Sequence, residues 1–155
     1  MTRVLTKFFI AFSAVFILDQ LVKQILLSGF TWQGEYFSLV LAFNKGVAFS
    51  MLEFLGEWLK FIQLLLISAV LIYLIWQNEI LKDHTLPIGI LLGAGSSNLL
   101  DRFVHGGVVD YVYWHKWFSF AIFNLADVMI DIAVCIILWQ SFLAKSKKEK
   151  SAQIS

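Results

Sequence analysis

A chain of 155 residues that is 59% hydrophobic, with one proline and a mean hydropathy of +0.78, is too apolar for a water-soluble domain, which runs at ~45–50%. It reads as an integral membrane protein. Its net charge of +1 gives no footing for nucleic acid, and its single cysteine, Cys135, excludes a disulfide framework or a cysteine-based metal site.

The first hydrophobic span is Val4–Leu27. Its basic start and apolar middle resemble a signal peptide, but no small-residue cleavage site follows. The run continues through Asp19, Gln20 and Lys23, so an uncleaved transmembrane helix is expected. Asp19 and Lys23 are spaced i, i+4 and meet on one face. Residues 28–57 form a connection too long for a turn. Within it Tyr36–Phe43 is rich in strand formers, Asn44-Lys45-Gly46 follows, and then Val47–Leu52. The pattern predicts a hairpin-like element of two extended segments, placed at the membrane interface because an open sheet edge cannot sit in hydrocarbon.

Trp58–Trp76 is the second span, and its terminal tryptophans stand ~27 Å apart at the helical rise, as an aromatic belt at each interface requires. Gln63 and Ser68 are its interior polar groups after Lys60, and it reads as scaffold. Gln77–Thr85 is a short polar loop, with Pro87 suited to the first turn of the next helix. The third span covers about residues 86–102. Gly89, Gly93 and Gly95 permit close helix approach, and Asn98, Asp101 and Arg102 close it. A second long connection, 103–119, contains the strand-like Val108–Trp114, which carries Asp110. The fourth span, 120–143, holds Asn124, Asp127 and Asp131 within about 60° of one another, and a basic tail, 144–155, follows.

The expected fold is therefore an all-α integral membrane protein: one domain of four transmembrane helices with a small extracytoplasmic β-rich element. Arg3, Lys7 and the lysines at 145, 147, 148 and 150 put both termini in the cytoplasm. Asp19, Asn98 and Asp127 then converge on the outer third of the bilayer, within reach of Asn44 and Asp110. An ionisable group at that depth costs ~2.5–3.5 kcal/mol on insertion scales and marks a functional position. Asp110 and Asp127, meeting in a poorly hydrated place, would share a proton. One would activate water while its protonated partner polarises a carbonyl, as in an aspartic hydrolase. Asn98 and Asn124 would orient the carboxyls; Arg102 and Lys23 would hold substrate or balance Asp101 and Asp19. No serine or cysteine nucleophile has a basic partner at useful spacing, and His84, His105 and His115 lie at spacings unsuited to a metal. From the residues alone, a small proton-coupled transporter or channel subunit fits the intramembrane acids as well.

Five ordered motifs favour the enzyme. They are Leu18-Asp19-Gln20 with Lys23; Asn44-Lys45-Gly46-Val47-Ala48-Phe49; Asn98 with Asp101-Arg102; Val109-Asp110; and Phe123-Asn124-Leu125-Ala126-Asp127. In order and spacing the chain resembles the lipoprotein signal peptidase (signal peptidase II) family of bacterial inner-membrane aspartic peptidases. The resemblance implies that Asp110 and Asp127 are the catalytic dyad. It also implies that Asp19, Lys23, Asn44, Gly46, Asn98, Asp101, Arg102, Asn124 and Ala126 line the site. It further implies a diacylglyceryl-modified prolipoprotein substrate cut just before its lipidated cysteine, contact with membrane lipid, no metal or organic cofactor, a monomer, and sensitivity to globomycin-type antibiotics. Two positions depart from the pattern. Ser97 stands where a glycine is usual, and a local packing adjustment is expected there. Asp131 belongs to no motif; a polar interior, a pairing with Lys23 or an influence on the dyad would each account for it.

Overall fold

The computed structural model describes residues 1–47 and 51–154. It is mostly helical: α1 Thr2–Leu27, α2 Trp58–Trp76, α3 Asn78–Asp83, α4 Thr85–His105 and α5 Leu125–Ile154. A small antiparallel sheet joins β1 Trp32–Gln33, β2 Phe37–Asn44 and β3 Val108–Trp114 in that order. Among the described residues α1, α2 and the Leu125–Lys147 part of α5 are long and apolar enough to cross a membrane. Their outward residues are large and apolar; Ile10, Leu65, Ile75 and Leu138, for example, are each more than 60% exposed. That surface suits lipid and not water.

Helix α4 falls short of this apolarity because it is the interior of the bundle. It packs against α1 and α5 most extensively and against α2 on another side. Two glycines one turn apart set the approach to α1. A Cβ on Gly93 would lie 2.4 Å from the Phe12 carbonyl oxygen, and one on Gly89 2.7 Å from that of Phe8. Gly95 faces α2 instead, where a Cβ would meet Ile67 Cδ1 at 3.8 Å. The glycine stripe is thus two devices: a tight α1 seam and a looser α2 contact.

The bundle is polarised end to end. Phe8, Leu74, Leu81, Ile88 and Leu92 form an apolar core with Ile137 packed against it. These residues come from the start of α1, the end of α2, α3, the start of α4 and the middle of α5, so the start of α1 and the half of α5 beyond Ile137 lie toward one end of the molecule. Apart from Thr85, the buried polar and charged side chains among the described residues collect at the other end, where the sheet sits.

Four local expectations are corrected. The fourth helix starts at Leu125 and not at residue 120, because Phe123 is drawn onto β3: its carbonyl accepts from Tyr111 and Val112 N–H, and its N–H donates to the Val112 carbonyl. The Tyr36–Phe43 run pairs with β1 on one side and with β3, from the second connection, on the other, in place of the hairpin expected with the segment that follows it. Ala48, Phe49 and Ser50 lie outside the described residues; Met51 and Leu52 form a turn and lead into a 3-10 turn, Glu53–Leu55. The Gln77–Thr85 loop contains the short helix α3. The residues after 143 continue α5 without a break to Ile154; they contain neither glycine nor proline to stop it, and Lys145 and Glu149 pair across one turn at 3.9 Å.

Candidate active site

The sheet and the start of α5 bring the two candidate acids together. Ala42 stands opposite Asp110 in the β2–β3 register and Asn44 opposite Val108, after an irregularity between Leu39 and Ala42. This places the Asn44 side chain on Asp110, whose Oδ2 accepts from Asn44 Nδ2 at 3.0 Å. Asp110 Oδ1 accepts from Asn124 Nδ2 at 2.7 Å.

Asn124 and Asp127 build the N-terminus of α5 as a reciprocal cap. Asn124 Oδ1 accepts from Asp127 N–H at 2.9 Å, and Asp127 Oδ2 accepts from Asn124 N–H at 3.1 Å, the geometry of a capping box. The intervening amides find partners elsewhere: Leu125 N–H donates to Tyr111 Oη at 3.0 Å and Ala126 N–H to Asp19 Oδ1 at 2.9 Å. The donors that every helix leaves orphaned at its start are therefore what tie Asp127 to β3 and α1. Asp127 Oδ1 accepts from Asn98 Nδ2 at 2.9 Å, and Asn98 Oδ1 accepts from Asn124 Nδ2 at 3.2 Å. Asn98 and Asn124 thus bridge the two carboxyls without adding charge.

Beneath this pair lies a charged cluster. Lys23 Nζ is 2.6 Å from both Asp19 Oδ2 and Asp101 Oδ2 and donates to Asn98 Oδ1 at 2.7 Å. Lys23 and Asp19 are 0% exposed and Asp101 is 1% exposed. Burial of such charges is tolerated only when every donor and acceptor is met, and here they are. Asp19 Oδ2 also accepts from Ser97 Oγ at 2.6 Å, Asp101 Oδ2 from Val109 N–H at 3.1 Å, and Asp101 Oδ1 from Gln20 Nε2 at 2.8 Å. Among the described residues no buried side-chain nitrogen or oxygen lacks a partner. Arg102 reaches sideways: Nη2 donates to the Gly46 carbonyl at 2.5 Å, and Nε donates to Gln63 Oε1 at 2.9 Å.

Burial, and then the neighbouring Asp127 charge, push the Asp110 carboxyl up to about 6, against the lowering effect of the Asn44 and Asn124 amides. Tyr111, also buried, is pushed up to about 12 and stays neutral. No group of three or more His, Cys, Asp and Glu among the described residues is arranged to hold a metal ion.

The eleven site residues named from the motifs thus fall in one hydrogen-bonded cluster; Ala48 and Phe49 of the second motif lie outside the described residues. Three contributions were not assigned from the sequence. Ser97 is more than a small side chain, since its hydroxyl holds Asp19 and accepts from Gln20 Nε2 at 2.9 Å. Tyr111 reads as one member of an alternating strand, yet it caps α5. Gln63, on the helix read as scaffold, holds Arg102; its polarity in the middle of an apolar span was the available clue. Asp131 is a correction. It is exposed on α5, because the buried side of that helix is the Ala126–Ala133 face, so it faces no polar interior. Nor does it pair with Lys23, whose ammonium is occupied by Asp19, Asp101 and Asn98.

Residues 11–143 match the protein family described as signal peptidase (SPase) II. A lipoprotein signal peptidase of Campylobacter jejuni subsp. jejuni serotype O:2 is 59% identical over 139 residues, which is 90% of this chain and 89% of the relative. One from Helicobacter pylori strain Shi470 is 52% identical over 143 residues, 92% and 91% of the two chains. A bacterial membrane enzyme solved in meso at 2.3 Å shares the fold, with a TM-score of 0.71 at 24% identity over 90% of this chain and 88% of that one.

Proposed function

Because this chain belongs to the signal peptidase II family, we propose that it removes signal peptides from diacylglyceryl-modified prolipoproteins as an aspartic endopeptidase, cutting just before the lipidated cysteine. One observation carries the assignment of the chemistry: Asp110 and Asp127, from a strand and a helix start, are joined through the amides of Asn98 and Asn124. Two such carboxyls hold one proton between them. The ionised member takes a proton from water as its oxygen attacks the scissile carbonyl carbon. The protonated member donates to the carbonyl oxygen, and a proton then passes to the departing amine of the lipidated cysteine. Asp19, Lys23, Asp101 and Ala126 hold the frame, and Asn44, Gly46 and Arg102 border it.

The substrate arrives through lipid, and α4, about 31 Å long at the helical rise, serves as the fourth membrane helix, shielded by its neighbours. Arg3, Lys7 and the basic end of α5 favour both termini in the cytoplasm of the bacterial inner membrane. The dyad end then lies at the outer leaflet, where the scissile bond of a lipid-anchored precursor resides. The protein acts as a monomer without metal or organic cofactor.

The test uses the purified full-length protein in detergent or lipid, a diacylglyceryl-modified prolipoprotein and an unlipidated control, read by gel shift. Wild type cleaves only the lipidated substrate. Asp110→Asn and Asp127→Asn each lose on the order of 10³-fold or more in kcat. Since the pair must enter the reaction with one proton, and the Asp110 carboxyl is pushed up to about 6, wild-type kcat/KM falls as pH rises through about 6. Cleavage by both Asn variants would sink the dyad. Failure of folded wild type to cut would return the transporter reading.

A further inference from the structure

The mechanism above makes no use of α2, although α2 supplies a polar side chain, Gln63, that grips Arg102. Gln63 is half-buried in an otherwise apolar span, and both ends of its amide are engaged. Nε2 donates to the Gly95 carbonyl of α4 at 3.0 Å, and Oε1 accepts from Arg102 Nε at 2.9 Å. The first bond fixes which way the amide points, so the second is made by an oriented acceptor.

With Nε held, the guanidinium plane is set and its far edge falls on the β2 exit. Nη2 donates to the Gly46 carbonyl at 2.5 Å and Nη1 to the Asn44 carbonyl at 3.5 Å. A guanidinium is a rigid planar fork, so fixing one N–H direction fixes the others. The segment it grips also closes on itself, since Gly46 N–H donates to Asn44 Oδ1 at 3.0 Å. The same asparagine points its remaining amide edge, Nδ2, at Asp110 Oδ2 at 3.0 Å. The chain of contact therefore runs from α2, through α4 and the β2 exit, to one oxygen of a dyad carboxyl.

We propose that Gln63 is a positioning residue for this peptidase, tethering Arg102 so that the β2 exit holds the Asn44 amide on Asp110. The proposal rests on the dyad reading above. It gives α2 a part in catalysis at a distance, and it makes the Arg102 side chain a brace between helix and sheet. Loss of the tether frees the guanidinium to rotate, loosens the Asn44–Gly46 carbonyls and withdraws one of the two donors from Asp110. Asp110 is faced by Asp127 from α5, Lys23 from α1 and Arg102 from α4, together with the Asn44 and Asn124 amides. Withdrawing the Asn44 donor against unchanged charges favours the protonated acid.

Gln63→Leu in the full-length protein tests this, with Gln63→Glu as the variant that keeps an acceptor for Arg102 Nε and Ser68→Ala as a control on the same helix. With a diacylglyceryl-modified prolipoprotein, Gln63→Leu lowers kcat about tenfold, while KM stays within about twofold of wild type. Its pH–rate limb moves to higher pH, Gln63→Glu recovers most of the turnover, and Ser68→Ala matches wild type. A glutamine that only fastens α2 to α4 would lower the melting temperature and leave turnover per folded molecule and the pH limb unchanged; that result overturns the proposal. Hydrogen exchange read by mass spectrometry supplies an arm independent of cleavage, with faster exchange at the Asn44–Val47 amides expected in Gln63→Leu. Unchanged exchange there overturns the tether. If folded wild type itself does not cleave, the peptidase reading falls and the exchange arm alone decides whether the brace exists.

Discussion

Lys23 is the residue on which the charged cluster depends. Its ammonium sits between Asp19 and Asp101, both buried, and supplies Asn98 with a donor. Lys23→Met fills similar space but leaves two carboxylates facing each other out of water. Removing one partner of a buried ionic group costs ~3–5 kcal/mol, and a drop in melting temperature in detergent at neutral pH reads it. A variant melting like wild type would mean that water, not Lys23, serves those carboxylates. At this scale the sequence was highly legible. An acid or amide in an apolar helix has few reasons to be there, so Asp19, Asn98, Asp127 and their fellows announced themselves. Ser97 and Tyr111 did not, because a serine in a small-residue run and a tyrosine in a strand are ordinary, and only the three-dimensional neighbours give their hydroxyls a task. Asp131 misled for the converse reason: sharing a helical face with Asp127 places two side chains side by side, but not equally far from the interior.

Among the elements, α4 carries the closest packing. Gly93→Ala forces a methyl to 2.4 Å from the Phe12 carbonyl, whereas the same change at Gly95 places it at an ordinary 3.8 Å from Ile67. Overpacking of this kind costs ~1–3 kcal/mol. At Gly95 the alanine is expected to be neutral or to stabilise by up to about 1 kcal/mol through helix propensity. Thermal unfolding of the two variants side by side checks the contrast; equal effects would show that the α1–α4 seam relaxes freely. Composition identified the glycines as packing devices, yet could not say which helix each one faced. The start of α5 and the partner of β2 were hidden for a related reason. Phe120–Phe123 is apolar enough to extend a helix, and what stops it is the β3 edge, a partner distant in sequence. Asn124 and Asp127, three residues apart, do form a local capping signal, and it marks the true helix start.

For the molecule as a whole, the separation of an apolar end from a polar end governs orientation. Asp19, late in α1, accepts from the amide of Ala126 at the start of α5. The two helices therefore run antiparallel, and their free ends emerge together at the apolar end of the bundle. With Arg3, Lys7 and Lys145 near those ends, a fluorescent protein fused after Ser155 should fold and fluoresce in the cytoplasm, and a periplasm-dependent phosphatase there should stay inactive. The reverse pattern would invert the assigned orientation. The helices with lipid-facing apolar surface were legible from hydropathy alone. The weaker apolarity of α4 follows from its place inside the bundle, where its neighbours and not lipid are its solvent.

The backbone bonds that return Phe123 to Val112 make the intervening chain a closed noose. Its tip, Trp117–Ser119, is exposed, and Phe120 N–H donates to the Trp114 carbonyl just inside it. Asp110 and Asp127 both stand outside the noose, on the far side of the knot from its tip. Lengthening the tip is inexpensive, since each doubling of a flexible loop costs only about 0.6 kcal/mol, and the added slack is not transmitted past the knot to the spacing of the two carboxyls. The tip is therefore where the chain can gain or lose residues, or carry an epitope or a dye, while one turn further into the fold a single inserted residue would pull the acids out of register.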